Sequence, residues 1–263
     1  MAFEACHIAK SETPARNDKL KHPYDKMLVC NWQMMSMQDN GAIKSSTAQV
    51  IFCFTEGHTM KSIITIQHTQ AVHHINGMIG SWTDWELTDL GKVNAENIGK
   101  KLSAELKGQA YKIYSSDLIR AKQTAEPLAR YLGIEIEYLE KLREHNIGEA
   151  VGKTKKWSKE NALPVVNPFD DPQFHGAETW REFWNRVTDL CQEIIADESD
   201  NIMLVSHGGT LCVWHQVWLG SEIKFERFGP PGGVSFMAIN DKGERIIHRL
   251  NDLSYMETVP PKM

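Results

Sequence analysis

The chain is expected to fold as an α/β protein, a three-layer α/β/α sandwich around a mostly parallel central sheet. Three observations predict this. Ile63-Ile64-Thr65-Ile66 is a run of β-branched residues, the pattern of a strand buried on both faces, and it ends in Gln67-His68. Ile202-Met203-Leu204-Val205 repeats the design and ends in Ser206-His207-Gly208-Gly209. Around these two strands, helical stripes alternate with short strands, which calls for a sheet covered by helices on both faces. Chemistry in such sheets collects at the carboxyl edge, where the two histidines can face one pocket.

The elements follow in order. Val72 to Trp85 is rich in glycine and polar residues and reads as a loop. Thr88 suits a helix N-cap with Asp89 in the first turn, and Leu90, Val93, Ile98, Leu102 and Leu106 mark one helical face. Lys112 to Ser115 is the next strand. Asp117 is placed to cap a helix carrying Arg120, Thr124 and Leu128. Ile134 to Leu139 alternates as a strand. A charged, proline-containing section runs from Lys153 to about Gly176. Trp180, Phe183, Val187, Cys191 and Ile194 stripe a further helix. After the second histidine come a helix through Trp218 and two closing strands, roughly 233–239 and 245–250.

The domain is expected to span residues 60–263. Residues 1–59 show no sustained period and carry one apolar patch, Val50 to Phe54, so they read as a poorly ordered N-terminal extension. A chain of 263 residues with a net charge of −5 can bury a sizeable core and lacks the basic surface of a nucleic-acid binder. No apolar run is long enough to span a bilayer, and the first residues lack a secretory pattern, so no membrane partner is expected. Cys6, Cys30, Cys53, Cys191 and Cys212 are scattered without a CxxC pair, as reduced thiols of a cytoplasmic protein would be.

Gln67-His68-Thr69-Gln70 resembles the Arg-His-Gly-Glu signature of the histidine phosphatase superfamily, in its phosphoglycerate mutase-like branch. The likeness continues through Gly80-Ser81-Trp82-Thr83-Asp84 and Leu87-Thr88-Asp89-Leu90-Gly91. Ser115-Ser116-Asp117-Leu118-Ile119-Arg120-Ala121-Lys122-Gln123-Thr124-Ala125 is its most specific segment. Leu142-Arg143-Glu144, Gly176-Ala177-Glu178-Thr179 and Val205-Ser206-His207-Gly208-Gly209 complete the series in order and spacing.

The resemblance implies a phosphoglycerate mutase-like sandwich and phosphomonoester hydrolysis through a phosphohistidine on His68. By the same resemblance Arg120 binds phosphate oxygens, His207 stabilises developing charge as a donor, and Glu144 protonates the leaving group and then activates water. A neutral imidazole can attack near pH 7 without a prior ionisation, which suits His68 to that role. Gln67 and His74 are the further substrate-binding candidates. Neither metal nor other cofactor is expected. The expected partner is a small-molecule phosphate ester, and the chain is expected to be a monomer or homodimer.

Several positions depart from the family pattern. Gln67 stands where the family has arginine, Thr69 where it has glycine, and His74 and Met78 where it often has Asn and Arg. A glutamine amide still donates to a phosphate oxygen but brings no charge and no bidentate fork. The pocket is therefore less cationic than usual, which disfavours a bisphosphate and leaves a catalytically weakened phosphate-binding domain as the alternative. A phosphoglycerate-type mutase is the other, although the short insertion does little to keep water out. His68, His73 and His74 do not follow a standard zinc spacing. Lys153, Lys155, Lys156 and Lys159 read as a solvated face or an overhang that draws in anions. Trp157, in the same insertion, is the tryptophan placed to touch substrate.

Overall fold

The computed structural model describes residues 28–37, 43–52, 61–220 and 229–256. The chain divides into two compact units, Met1–Gly57 and His58–Met263. In the first, β1 (Leu28–Met37) and β2 (Ile43–Phe52) pair antiparallel, from Leu28 opposite Phe52 to Met37 opposite Ile43. The rest of the stretch expected to be a poorly ordered extension lies outside the described residues.

The second unit is built on six strands: β3 (Lys61–Gln67), β4 (Lys112–Ser115), β5 (Ile136–Tyr138), β6 (Asn201–Ser206), β7 (Val234–Ile239) and β8 (Arg245–Asp252). Their order across the sheet is β5-β4-β6-β3-β7-β8. The first four run parallel, and β7 and β8 form an antiparallel hairpin against β3. The strands β3 and β6 are neighbours although far apart in sequence, and Gln67 lies directly opposite Ser206. His68 and His207 therefore leave the sheet at the same level.

Helices α1 (Asp89–Glu105) and α2 (Ile119–Leu132) cover one face, packing Ile98, Leu102, Ala121, Ala125 and Leu128 on Ile64, Ile66, Met203 and Val205. Helices α4 (Trp180–Ala196) and α5 (Gly208–Trp218) cover the other, packing Phe183, Val187, Leu190, Val213, Trp214 and Trp218 on Ile63, Ile202 and Leu204. Alternate residues of β3 and β6 serve opposite cores, which is why these strands read as unbroken apolar runs. Each fully buried isoleucine contributes about 1.5–3 kcal/mol. The short α3 (Lys155–Asn161) lies in the charged insertion, capped by the Thr154 side chain. The expected three-layer α/β/α sandwich is the fold found.

Three local expectations are corrected. Val93 is 51 % exposed, and the buried face of α1 is instead Gly91, Asn94, Ala95, Ile98, Gly99 and Leu102. Small residues take that face because α2 comes close: a Cβ on Gly99 would stand 2.9 Å from the backbone of Pro127 and Leu128. Asp117 does not cap α2, since its carboxylate is drawn to Arg143, accepting from Nε at 2.7 Å and Nη2 at 2.5 Å. The strand expected over Ile134–Leu139 contracts to three residues because it pairs at the sheet edge with the short β4.

Candidate active site

The carboxyl ends of β3 and β6 deliver two buried imidazoles. His68 is 3 % exposed and His207 is fully buried, with ring centroids 5.0 Å apart in an edge-on arrangement. His68 Nδ1 lies 2.8 Å from the Thr69 carbonyl oxygen. A carbonyl can only accept, so Nδ1 carries the proton and the lone pair sits on Nε2. Arg120, near the start of α2 and 1 % exposed, donates its Nε–H to that Nε2 at 3.2 Å. Its two terminal nitrogens are anchored on the loop after β3, Nη1 on the Thr83 carbonyl at 2.8 Å and Nη2 on the Ser81 carbonyl at 2.7 Å. The helix itself holds Arg120, and the family-like segment 115–125 is thus a strand, a turn and a helix start.

Burial first, then the Arg120 charge, holds both His68 and His207 well below the ordinary histidine value of 6.5. Both rings are therefore neutral at pH 7. Burial also lowers Arg120 to about 10, with Glu144 and Asp84 opposing that shift, so the guanidinium keeps its charge. The Ser116 hydroxyl lies 2.8 Å from His207 Nε2, while His207 Nδ1 is buried without a partner among the described residues.

Glu144 follows a one-turn 3-10 helix, Glu140–Leu142, and its carboxylate sits at the N-terminus of α5. It accepts from Gly209 N at 3.0 Å and Thr210 N at 3.2 Å, and from its neighbour His145 N at 2.9 Å. Backbone N–H groups at a helix start are a favourable place for negative charge. Gly209 leaves room for the carboxylate in this position, since a Cβ there would push it aside.

Gln67 is 8 % exposed, and its amide nitrogen lies 3.1 Å from where a Gly208 Cβ would be. Among the described residues no hydrogen bond ties its side chain. His73 and His74 lie in the 3-10 turn Val72–His74, with rings 4.0 Å apart. The His74 ring stacks parallel to His68 at 5.4 Å. His74 Nδ1 accepts from Ala71 N at 3.0 Å, so its Nε2 carries the proton and is a donor. Burial first, then neighbouring charges, lowers His74 to about 4 and His73 to about 2. The structure thus brings together His68, His74, Arg120 and His207, with Glu144 and Gln67 at the two sides of the α5 N-terminus.

The three histidines 68, 73 and 74 place their nitrogens within 4.8 Å of one another, a convergence that their sequence spacing did not suggest. As a cation site they fit poorly. The His74 Nδ1 lone pair is taken by Ala71 N–H, and a guanidinium already points at His68 Nε2. Lys155 is the member of the lysine cluster whose charge reaches His73 and His74. Lys156 pairs with Glu160 at 3.8 Å, and Lys153 lies over the Trp157 ring. Trp157 stacks with Phe174 inside the insertion. Sequence reading missed the anchors of the site: the Ser81 and Thr83 carbonyls, Ser116, and Trp82, whose Nε1 donates to the Glu144 carbonyl at 2.7 Å. Backbone carbonyls carry no sequence signal, so only the fold could reveal two of these.

Residues 63–253 match the family model of the histidine phosphatase superfamily (branch 1). A Hydrogenobacter thermophilus protein provisionally named phosphoserine phosphatase 2 is 32 % identical over 157 residues, 58 % of this chain and 75 % of that one. A 2,3-bisphosphoglycerate-dependent phosphoglycerate mutase of Nitrobacter winogradskyi is 27 % identical over 161 residues, 57 % of this chain and 76 % of that one. The crystal structure of phosphoglycerate mutase from Bacillus anthracis superposes with a TM-score of 0.62 at 22 % identity, covering 75 % of this chain and 95 % of that one. No helix among the described residues is long and apolar enough to cross a membrane. With the matching model running across the whole sheet, both strand-end histidines and all four covering helices, the chain belongs to the histidine phosphatase superfamily.

Proposed function

We propose that this protein hydrolyses small phosphate monoesters through a phosphohistidine on His68, without a metal. One observation carries the reading: the Thr69 carbonyl fixes the proton on His68 Nδ1, leaving an Nε2 lone pair directed at the Arg120 guanidinium. In the free protein that guanidinium satisfies the lone pair. A phosphate oxygen accepting from Arg120 Nε–H would release the lone pair for attack. Glu144 takes up a proton as the anionic ester binds beside it. The Nε2–P bond then forms as the ester P–O bond breaks, and the leaving oxygen takes that proton. Water then gives a proton to Glu144 as its oxygen attacks phosphorus, and Nε2 leaves with the P–N electrons. Arg120, His207 and the His74 Nε2–H supply donors for the equatorial oxygens.

Side chains carry every step, and the occupied lone pairs of His68 and His74 weigh against a cation in the cluster. Named relatives act on phosphoserine or phosphoglycerate, each a small phosphorylated acid, which supports a small phosphate ester as substrate. A single guanidinium in the pocket among the described residues favours a monophosphate over a bisphosphate. The test is phosphate release from a panel of phosphomonoesters without added metal, wild type against His68→Ala. Hydrolysis that disappears in the variant supports the reading, and folded wild type that releases no phosphate overturns it. A second reading, a domain that binds phosphate esters with weakened turnover, is favoured by Gln67 alone. Tight phosphate binding with no turnover would establish it, and phosphoryl exchange between sugar-acid phosphates would instead point to a mutase.

A further inference from the structure

Glu144 lies in irregular backbone, yet that backbone is held at nearly every polar atom. The Leu142 carbonyl accepts from Ser206 Oγ at 2.7 Å, and the Arg143 carbonyl from Thr210 Oγ1 at 2.7 Å. The His145 carbonyl accepts from Ser81 Oγ at 2.6 Å. The hub of this arrangement is Arg186, on the middle of α4. Its Nη1 donates to the Lys141 and Arg143 carbonyls at 2.8 and 3.0 Å, and its Nη2 to the Glu144 carbonyl at 3.2 Å. Its Nε and Nη2 form a two-point ion pair with Glu178 at 2.7 and 2.9 Å. Glu178 in turn accepts from Asn146 N at 2.9 Å, and its own backbone carbonyl contacts His145 Nε2 at 2.9 Å. Both charged side chains are more than four-fifths buried.

We infer that Arg186, held by Glu178, is a positioning residue that aims the Glu144 carboxylate at the leaving group. This rests on the proposed role of Glu144 as the proton donor. One planar guanidinium serves three consecutive-segment carbonyls and a carboxylate at once. A lysine ammonium has the charge and too few directed donors to do so. Burial beside a matched carboxylate removes the need for solvent, so the segment is fixed and not merely tethered. A simple stabilising ion pair would affect all substrates alike. A positioning role acts only where the leaving oxygen needs a proton.

The experiment compares kcat/KM on an alkyl phosphate, a poor leaving group, with p-nitrophenyl phosphate, whose leaving group needs little protonation. Arg186→Lys is expected to lose about 10- to 100-fold on the alkyl ester, the scale of a misplaced catalytic group, and less than about threefold on the aryl ester. Inhibition by inorganic phosphate should stay unchanged. Glu178→Gln and Trp82→Phe, which removes the other donor to the Glu144 carbonyl, should show the same selective loss. They decide the matter if Arg186→Lys does not fold. Equal losses on both esters, or none, in variants whose Glu144→Gln counterpart is selective would overturn the inference. If Glu144→Gln is itself unselective, or wild type hydrolyses neither ester, the reading of Glu144 fails instead.

Discussion

At the scale of single residues, Gln67 and Arg120 decide how much positive charge a phosphate meets. Removing a preorganised donor typically costs on the order of 100- to 1000-fold in rate, and a glutamine amide retains part of that donation. Gln67→Arg is therefore expected to raise kcat/KM by about 3- to 100-fold and to tighten inhibition by phosphate, both read from steady-state kinetics. No change in either would show that the buried position beside Gly208 cannot aim a guanidinium into the pocket. Arg120→Lys keeps the charge and loses the anchors on Ser81 and Thr83. A fall of about 100-fold or more in kcat/KM is expected from the lost geometry. His68 gives the pH dependence. Its value lies well below 6.5, so the nucleophile stays neutral through mildly acid solution. The acid limb of kcat/KM should fall well below pH 6.5, and a limb centred there would contradict a buried neutral nucleophile. His68 and His207 were legible in the sequence because each ends an unmistakable strand. The tautomer of His68 was not, since it depends on the direction of the Thr69 carbonyl, which only the folded backbone after β3 sets.

At the scale of elements, two glycines test separate functions of the helices. Gly99 lets α1 lie against the backbone of α2. Gly99→Val is expected to destabilise the protein by about 1–3 kcal/mol through overpacking. Urea denaturation would show this as a lower midpoint. Gly209, in the first turn of α5, makes room for the Glu144 carboxylate. Gly209→Ala improves local helix propensity by up to about 1 kcal/mol, yet it displaces the carboxylate from its N–H donors. Activity is expected to fall by about 10- to 100-fold while thermal stability holds or rises. A matched loss of both would mean that α5 itself is damaged. Capping by Thr88 was readable in sequence, since it follows local rules. The Asp117 cap was misread because a distant arginine, Arg143, competes for the same carboxylate. Local pattern cannot weigh that competition.

At the scale of the whole molecule, the buried histidines couple the fold to pH. His68 and His207 are held well below 6.5, and burial pushes His215 down to about 4. In the unfolded chain each would bind a proton near 6.5, so below that pH the unfolded state holds more protons. Stability from these groups is complete above about pH 6.5. It is lost as pH falls toward the folded values, by about 1.4 kcal/mol per pH unit for each group that stays neutral. Thermal midpoints measured from pH 7.5 to 5 should fall, and His215→Gln should flatten part of that slope. A midpoint that stays level would show that these rings are charged in the fold. What the sequence by itself determined is the architecture: unbroken apolar runs specify strands buried on both faces, and helical stripes cover them. It also determined the family, through motifs whose order and spacing survive along the chain. Only the tertiary structure decided that β6 lies beside β3 with Gln67 opposite Ser206, and that Arg120 reaches His68. It alone also set Arg186 against the Glu144 segment. Those contacts join residues tens to more than a hundred positions apart, and their energies depend on burial and direction, which a one-dimensional pattern does not carry.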